Sequence, residues 1–164
     1  MDSKRIVKTA IVAAIYAALT IGLSPISYGP VQFRLSEVLI LLAFINSDYI
    51  VGLTIGCLIA NLLGPYGLAD IIFGTFATFV SAWMVYLTPK FINGKYAIWV
   101  ASLWPVLANA VIVGLMLNIF FKLPLILSML EVGIGEFGVV TIVGVPLFKI
   151  LLSKYQGFLS VKGA

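Results

Sequence analysis

Residues Val31–Phe44 read VQFRLSEVLILLAF. One arginine and one glutamate, three apart, stand at the head of an unbroken apolar run. Wound as an α-helix, the stretch Leu35–Ile45 rises only about 16 Å, well short of the ~30 Å hydrocarbon core of a bilayer. A segment this short must be tilted, extended by loop residues, or only partly spanning. What surrounds it decides which solvent it is built for.

The chain has 164 residues, of which 62% are hydrophobic and 10% charged, and its mean hydropathy is +1.18. Soluble domains carry about 25% charged residues, so the composition is that of an integral membrane protein. Apolar runs of about 20 residues recur along the chain, as in a helical bundle, without the ~10-residue alternating segments of a β-barrel. The N-terminal MDSKRIVKTAIVAAIYAALTIGLSP reads as a first spanning helix rather than a cleaved leader. Its apolar run is near spanning length, and its alanines lie inside that run. Cys57 is the only cysteine, so no internal disulfide forms, and histidine is absent. That removes the commonest metal ligand and the commonest proton shuttle at neutral pH.

Six apolar segments follow from the pattern: Ile6–Leu23, Leu35–Ile45, Tyr49–Leu63, Leu68–Leu87, Tyr96–Phe121 and Leu123–Leu152. The fifth contains Pro105, where a kink is expected. With six crossings the basic residues sort themselves. Lys4, Arg5 and Lys8, then Lys90 and Lys95, then Lys149, Lys154 and Lys162 all fall on one side, leaving Arg34 and Lys122 on the other. The basic side is cytoplasmic. The expected fold is therefore one all-α membrane domain, residues 1–164, a six-transmembrane-helix bundle with both termini cytoplasmic.

The outer half of this bundle collects polar groups from distant parts of the chain. Arg34 and Glu37 open the second segment. Asn61 ends the third, Asp70 opens the fourth, Asn118 ends the fifth, and Glu131 and Glu136 lie inside the sixth. Intramembrane charges face a bundle interior or a wet cavity, so the group reads as one outward-facing pocket. Plainer readings exist for each. Arg34 and Glu37 can pair with each other along one helix face. Asp70 follows GPYGLA, where an N-terminal cap belongs. Glu131 and Glu136 differ by about 140° around a helix, so one can face a ligand while the other bonds a neighbour. Glu131 shares its face with Gly135 and Gly138, which suits close packing by a helix or by a flat ligand. Four acids against one arginine favour a cation or a molecule rich in N–H donors. Tyr28, Phe33, Tyr66 and Phe73 near the outer rim can stack on a planar ring or serve as core and interface residues.

Ala10, Ala13, Ala14, Ala17 and Ala18 follow a helical spacing and make one smooth stripe on the first segment. Small residues four apart let helices approach closely, either within the chain or from a partner. No Walker A sequence occurs, and no inverted repeat of the kind found in self-sufficient transporters is visible. A small bundle with a pocket and no energy source suggests a subunit that borrows one.

These features resemble the substrate-binding S-component of an energy-coupling factor (ECF) transporter. VQFRLSEVLILLAF, GCLIANLLGPYGLADIIFGTFAT (56–78) and GIGEFGVV (133–140) resemble the QueT group, transporters of queuosine precursors. The resemblance implies the six-helix S-component fold in a bacterial plasma membrane, a transmembrane coupling protein and two ATPase subunits as partners, and no cofactor. It implies ligand bound near the outer face, under the loop joining the first two helices, and toppling in the membrane to release it. Docking would use Ala13 and Ala17, flanked by Ala10, Ala14 and Ala18. The ligand would be a 7-deazaguanine such as preQ1 or preQ0, or queuine. Glu131 or Glu136 would read the base edge, Glu37 or Asp70 would be the second acid, and Arg34 or Asn118 would face the ring carbonyl.

Three other readings compete. An S-component for another cationic or aromatic nutrient, with thiamine foremost, would use the same acidic pocket. An intramembrane enzyme would need a metal or a matched acid and base, which a chain without histidine could supply only from Glu and Asp. A scaffold would have no use for outer-half acids. The expectation is a binding subunit, not an enzyme, with no metal.

Overall fold

The computed structural model describes residues 3–29 and 31–159, and every regular element among them is helical. Lys162, counted above with the cytoplasmic lysines, lies outside the described residues. Helix α1 is Ser3–Gly22, followed by a single turn, α2, Ser24–Ser27. A 3-10 segment, Leu35–Phe44, leads to α3, Asp48–Leu62, and α4, Gly67–Phe91. Then come α5, Ala97–Ala101, and α6, Leu103–Phe121. The last stretch is α7, Leu125–Glu136, a π-helical segment, Phe137–Gly144, and α8, Val145–Leu159. Four helical stretches are long and apolar enough to cross a membrane: Arg5–Gly22, Gly67–Phe91, Ala97–Phe121 and Leu125–Lys154. The 3-10 segment and α3 are shorter apolar helices.

Contacts along the chain give the directions. Tyr16 and Thr20 of α1 meet Glu37 and Ser36, so the 3-10 segment runs back along α1. Thr9 and Ala13 meet Gly52 and Gly56, so α3 runs parallel to α1. Asn61 meets Asp70 while Cys57 meets Gly74, so α4 returns. Trp104 meets Thr88 and Phe120 meets Phe73, so α6 rises again along α4. Gly114 meets Met129 and Ser102 meets Thr141, so the last stretch descends. Six segments thus alternate in direction.

The short second segment is not an α-helix. Its 10 residues wind with three residues per turn and rise about 20 Å, where α-winding would give about 15 Å. Three-residue periodicity also stacks positions i and i+3 on one line. Arg34, Glu37, Ile40 and Ala43 form that line, and all four are buried. Behind them lies the π-helical segment: a Cβ on Gly144 would meet Leu41 Cδ1 at 3.3 Å and Val38 Cγ1 at 3.6 Å.

The fifth segment breaks at Ser102 rather than at Pro105 itself. Proline has no N–H for the carbonyl four residues back, and its ring crowds that carbonyl. For Pro105 that residue is Ala101, the last of α5. The proline therefore acts one turn ahead of its own position.

Solvent preference is inverted relative to a soluble domain. Leu63, Leu68 and Ile126 are 70%, 70% and 74% exposed, whereas Glu37 and Asp70 are 1% and 0% exposed. The core gathers Tyr16, Ile40, Leu41, Leu53, Val85 and Val140 around the 3-10 segment. A smaller cluster of Ala77, Val113, Met116, Leu117 and Val132 joins α4, α6 and α7.

The alanine stripe is split by this packing. Ala13 and Ala17 are 5% and 6% exposed, turned into the bundle, while Ala10, Ala14 and Ala18 are exposed. The reason is the facing glycines of α3. A Cβ on Gly56 would sit 2.8 Å from both the Ala13 carbonyl oxygen and Tyr16 Cβ, and one on Gly52 would sit 2.7 Å from the Thr9 carbonyl oxygen. Ala13 and Ala17 are thus internal packing residues, which corrects the expectation that they form an outward docking face.

Replacing Gly56 with Leu must push α1 off α3, and overpacking of this kind costs about 1–3 kcal/mol. Gly22, whose Cβ would meet nothing within 4 Å, is the control. Thermal unfolding of the detergent-solubilised chain is expected to fall markedly for Gly56→Leu and little for Gly22→Ala.

Candidate ligand-binding site

Arg34 is the hub of a buried polar cluster where the 3-10 segment, α3, α4 and α7 meet. Its backbone is extended as it enters the 3-10 segment. One guanidinium nitrogen, Nη2, donates to Asp70 Oδ2 at 2.7 Å, and Nη1 donates to Asn61 Oδ1 at 3.1 Å. The Tyr28 ring covers the group, with its centroid 5.3 Å from Cζ. Tyr28 is itself held: its hydroxyl donates to the Ala60 carbonyl at 2.7 Å, and its own carbonyl accepts from the Tyr66 hydroxyl at 3.0 Å.

The hairpin between α3 and α4 makes the acceptor half of this clamp. Asn61 Nδ2 donates to the Asp70 carbonyl at 2.9 Å, which ties the end of α3 to the start of α4. A Cβ on Gly74 would come 2.8 Å from Asn61 Nδ2 and would collide with Asp70 Oδ1. Glycine at 74 is what lets both side chains lie flat against α4. Asp70 does not cap its helix; its carboxylate is the partner of Arg34.

Glu37 is one turn of 3-10 helix below Arg34. The two are not paired with each other, contrary to the simplest sequence reading. Glu37 Oε1 accepts from the Tyr16 hydroxyl and from Thr78 Oγ1, the latter at 3.3 Å. Asp70 has the better approach to the guanidinium because it arrives from a facing helix. Glu136, at the end of α7, is 4% exposed and within electrostatic reach of both Glu37 and Arg34.

The expected site residues therefore divide. Arg34, Glu37, Asp70 and Glu136 converge. Glu131 lies half-buried one turn earlier in α7, without a hydrogen bond or ion pair among the described residues. Asn118 stands apart and closes the turn after α6: its Nδ2 donates to the Leu123 carbonyl at 2.7 Å, while its carbonyl accepts from the Lys122 N–H. Of the rim aromatics, Tyr28 touches Arg34, Phe33 is exposed, and Tyr66 and Phe73 pack on Phe121 and Phe120. Tyr16, Gln32 and Thr78 join the cluster without having been expected. Tyr16 and Thr20, four apart on an otherwise apolar helix, carried a usable signal; Gln32, in a loop, carried none.

Hydrogen-bonding capacity is left over at this place. Glu37 Oε2, Asp70 Oδ1, Glu136 Oε2, Arg34 Nε and Gln32 Nε2 are all buried without a partner among the described residues. Each such group costs roughly 1–3 kcal/mol when unsatisfied, and native structures keep few of them. Three acceptors and two donors left over within one buried cluster form a demand that a ligand can meet. The charge balance sharpens it. Asp70 neutralises Arg34, which leaves Glu37 and Glu136 as uncompensated acids. Among the described residues no three groups of metal-ligating type come together.

The family model for the QueT transporter matches residues 6–153. A protein of Lactococcus lactis subsp. cremoris (strain MG1363), the "Queuosine precursor transporter QueT", is 53% identical over 77 residues, which is 46% of this chain and 45% of that relative. The aligned part thus spans about half the length of the relative. No solved structure matches the chain.

Removing one partner of a buried ion pair leaves a bare charge, at about 3–5 kcal/mol, whereas removing both leaves none. Arg34→Met and Asp70→Leu are each expected to lower the unfolding temperature in detergent sharply. The double variant is expected to be more stable than either single one, and a double-mutant cycle measures the coupling.

Proposed function

We propose, for a chain that belongs to the QueT transporter family, that it is the substrate-binding S-component of an ECF-type importer and takes up a 7-deazaguanine queuosine precursor. Family membership makes it a multi-pass membrane transporter rather than an enzyme. The finer reading is that all six alternating segments cross a bacterial plasma membrane as one domain, with both termini cytoplasmic. The basic residues support that orientation. Lys90, Lys95 and Lys149 stack on Tyr86, Tyr96 and Trp99, at 4.1, 5.1 and 5.0 Å from the ring centroids. Cationic and aromatic side chains together mark an interface, and the basic one is cytoplasmic. Arg34, Asp70 and Asn61 are then at the outer end.

One observation carries the substrate reading: two buried acids, Glu37 and Glu136, each with a free oxygen, beside an arginine already neutralised by Asp70. A guanine-like edge offers adjacent N–H donors, which a carboxylate accepts in pairs. Glu136 takes that edge. In preQ1 the aminomethyl group is a cation, and the free oxygen of Glu37 takes it. Arg34 faces the ring as a fixed dipole. The name of the Lactococcus lactis relative, a queuosine precursor transporter, supports the same substrate class. Glu131, at the edge of the cluster, is a second-rank contact, and Asn118 is a structural cap.

The energy source is a coupling membrane protein with two ATPase subunits. The exposed line Ala10, Ala14 and Ala18 is the smooth surface on α1 that such a partner would meet, with Ala13 and Ala17 packed behind it on α3.

Titration calorimetry of the purified chain tests the substrate. Hydrogen bonds to charged groups are worth about 1.5–3 kcal/mol, so Glu136→Gln and Glu37→Gln are each expected to weaken preQ1 binding about tenfold to a hundredfold. Binding of thiamine but of no deazaguanine would replace the substrate reading with the thiamine one. Docking is tested separately. Ala14→Trp is expected to abolish uptake and co-purification with the coupling module while leaving preQ1 binding intact; retained uptake would remove this face from consideration.

A further inference from the structure

We propose that Gln32 is a specificity-determining residue, whose side-chain amide donates to a ring carbonyl of the cargo; this rests on the deazaguanine reading above. Three observations carry it. The Gln32 side chain is buried, at 4% exposure, in a loop where polar side chains normally reach water. Its Nε2 has no partner among the described residues. Its backbone is held at φ +48°, in the left-handed region that non-glycine residues rarely adopt.

The loop fixes this residue from both sides. Gln32 N–H donates to the Gly29 carbonyl at 3.0 Å, and the Gln32 carbonyl accepts from Arg34 N–H at 2.7 Å. The preceding carbonyl, that of Val31, presses onto Gly135, where no Cβ fits. Gly135 adjoins Glu136, and Gln32 is two residues from Arg34. The backbone at Gln32 is thereby held between Gly135, which adjoins the free acid on α7, and the guanidinium-bearing Arg34. Strained backbone at such a place is a recognised mark of a functional position.

The chemistry is complementary to that of the acids. Glu37, Asp70 and Glu136 leave acceptors free, while Gln32 Nε2 and Arg34 Nε leave donors free. A guanine-type ring presents N–H donors and a carbonyl acceptor on adjacent positions, so it needs both kinds of group. The guanidinium of Arg34 is locked by Asp70 and Asn61. A neutral amide on its own loop can meet the carbonyl without adding charge. A ring with an amino group in place of the carbonyl would leave that amide facing a second donor.

The test exchanges donor for acceptor at constant shape. Affinities of preQ1 and of its analogue with the ring carbonyl replaced by an amino group are measured by calorimetry on the full chain, for wild type and Gln32→Glu. The wild type is expected to favour preQ1, and Gln32→Glu to shift the ratio toward the amino analogue by at least tenfold. A residue that only shapes the loop would weaken both ligands equally, and an unchanged ratio overturns the proposal. Gln32→Gly accommodates the φ value and removes the amide. It is expected to lower the preference for preQ1 by at least tenfold, the remainder being the demand of Glu136 for the ring N–H that the analogue also lacks, while unfolding at a temperature near that of the wild type, and it serves if Gln32→Glu does not fold; a preference as large in Gln32→Gly as in the wild type also overturns the proposal. Wild type that binds neither ring sinks the deazaguanine reading and the role of Gln32 with it. Wild type that binds preQ1, with an unmoved ratio, sinks the role of Gln32 alone.

Discussion

Ten residues must carry the chain from the outer loop down the length of the core, and α-winding would leave them about 5 Å short of what 3-10 winding reaches. Much of the rest depends on that constraint. Three-residue turns place Arg34, Glu37, Ile40 and Ala43 on one line, so a single buried face begins with two charges and ends in the apolar core. An α-helix would swing each successive member of that set about 60° off the line every three residues. The hydrogen bonds from Tyr16 and Thr78 to Glu37 then require α1 and α4 to lie where they do.

Charge inside the bundle is tolerated because it is arranged in tiers. The tier around Arg34 is largely closed: Arg34, Asp70 and Asn61 bond one another, Tyr28 shields them, and only Arg34 Nε and Asp70 Oδ1 are left over. The inner tier is open, with Glu37 and Glu136 each retaining an unfilled oxygen. A closed tier gives the fold a rigid frame, and an open one gives a ligand something to satisfy. In a low-dielectric interior, an unsatisfied group is also more demanding than it would be in water. The same clustering that costs stability in the empty chain is available as affinity when a complementary molecule arrives.

Much of this was legible in the residues, for identifiable reasons. Composition alone assigns the membrane class, and polar residues from distant parts of the chain, at the ends of apolar runs for Arg34, Glu37 and Asp70 and inside one for Glu136, mark the groups that come together. The winding of Leu35–Phe44 was not legible, because a segment apolar on nearly every face shows no periodicity to measure. The partner of Arg34 was misread because Asp70 lies 36 positions away, and local spacing favours the nearer Glu37. The alanines form a stripe on α1, but packing divides it into two sides. Their spacing is the same whether glycines or a partner face them, and only the packing of α1 on α3, at Gly56 in the case of Ala13, distinguishes the buried Ala13 and Ala17 from the rest. Gln32 had no pattern to betray it, since its position follows from the course of a loop.

The π-helical segment Phe137–Gly144 has a bearing on how this chain can vary through mutation. A π-turn holds one more residue than an α-turn, with bonds to i+5. Deleting one residue there restores ordinary winding while the turn still closes the same circle, so the helix beyond keeps its face. Val145 and Phe148 then stay in the core, and Glu136 keeps its place ahead of the segment. This stretch therefore has room to lose a residue, whereas a deletion within the regular helix α4 would turn everything beyond it by about 100°.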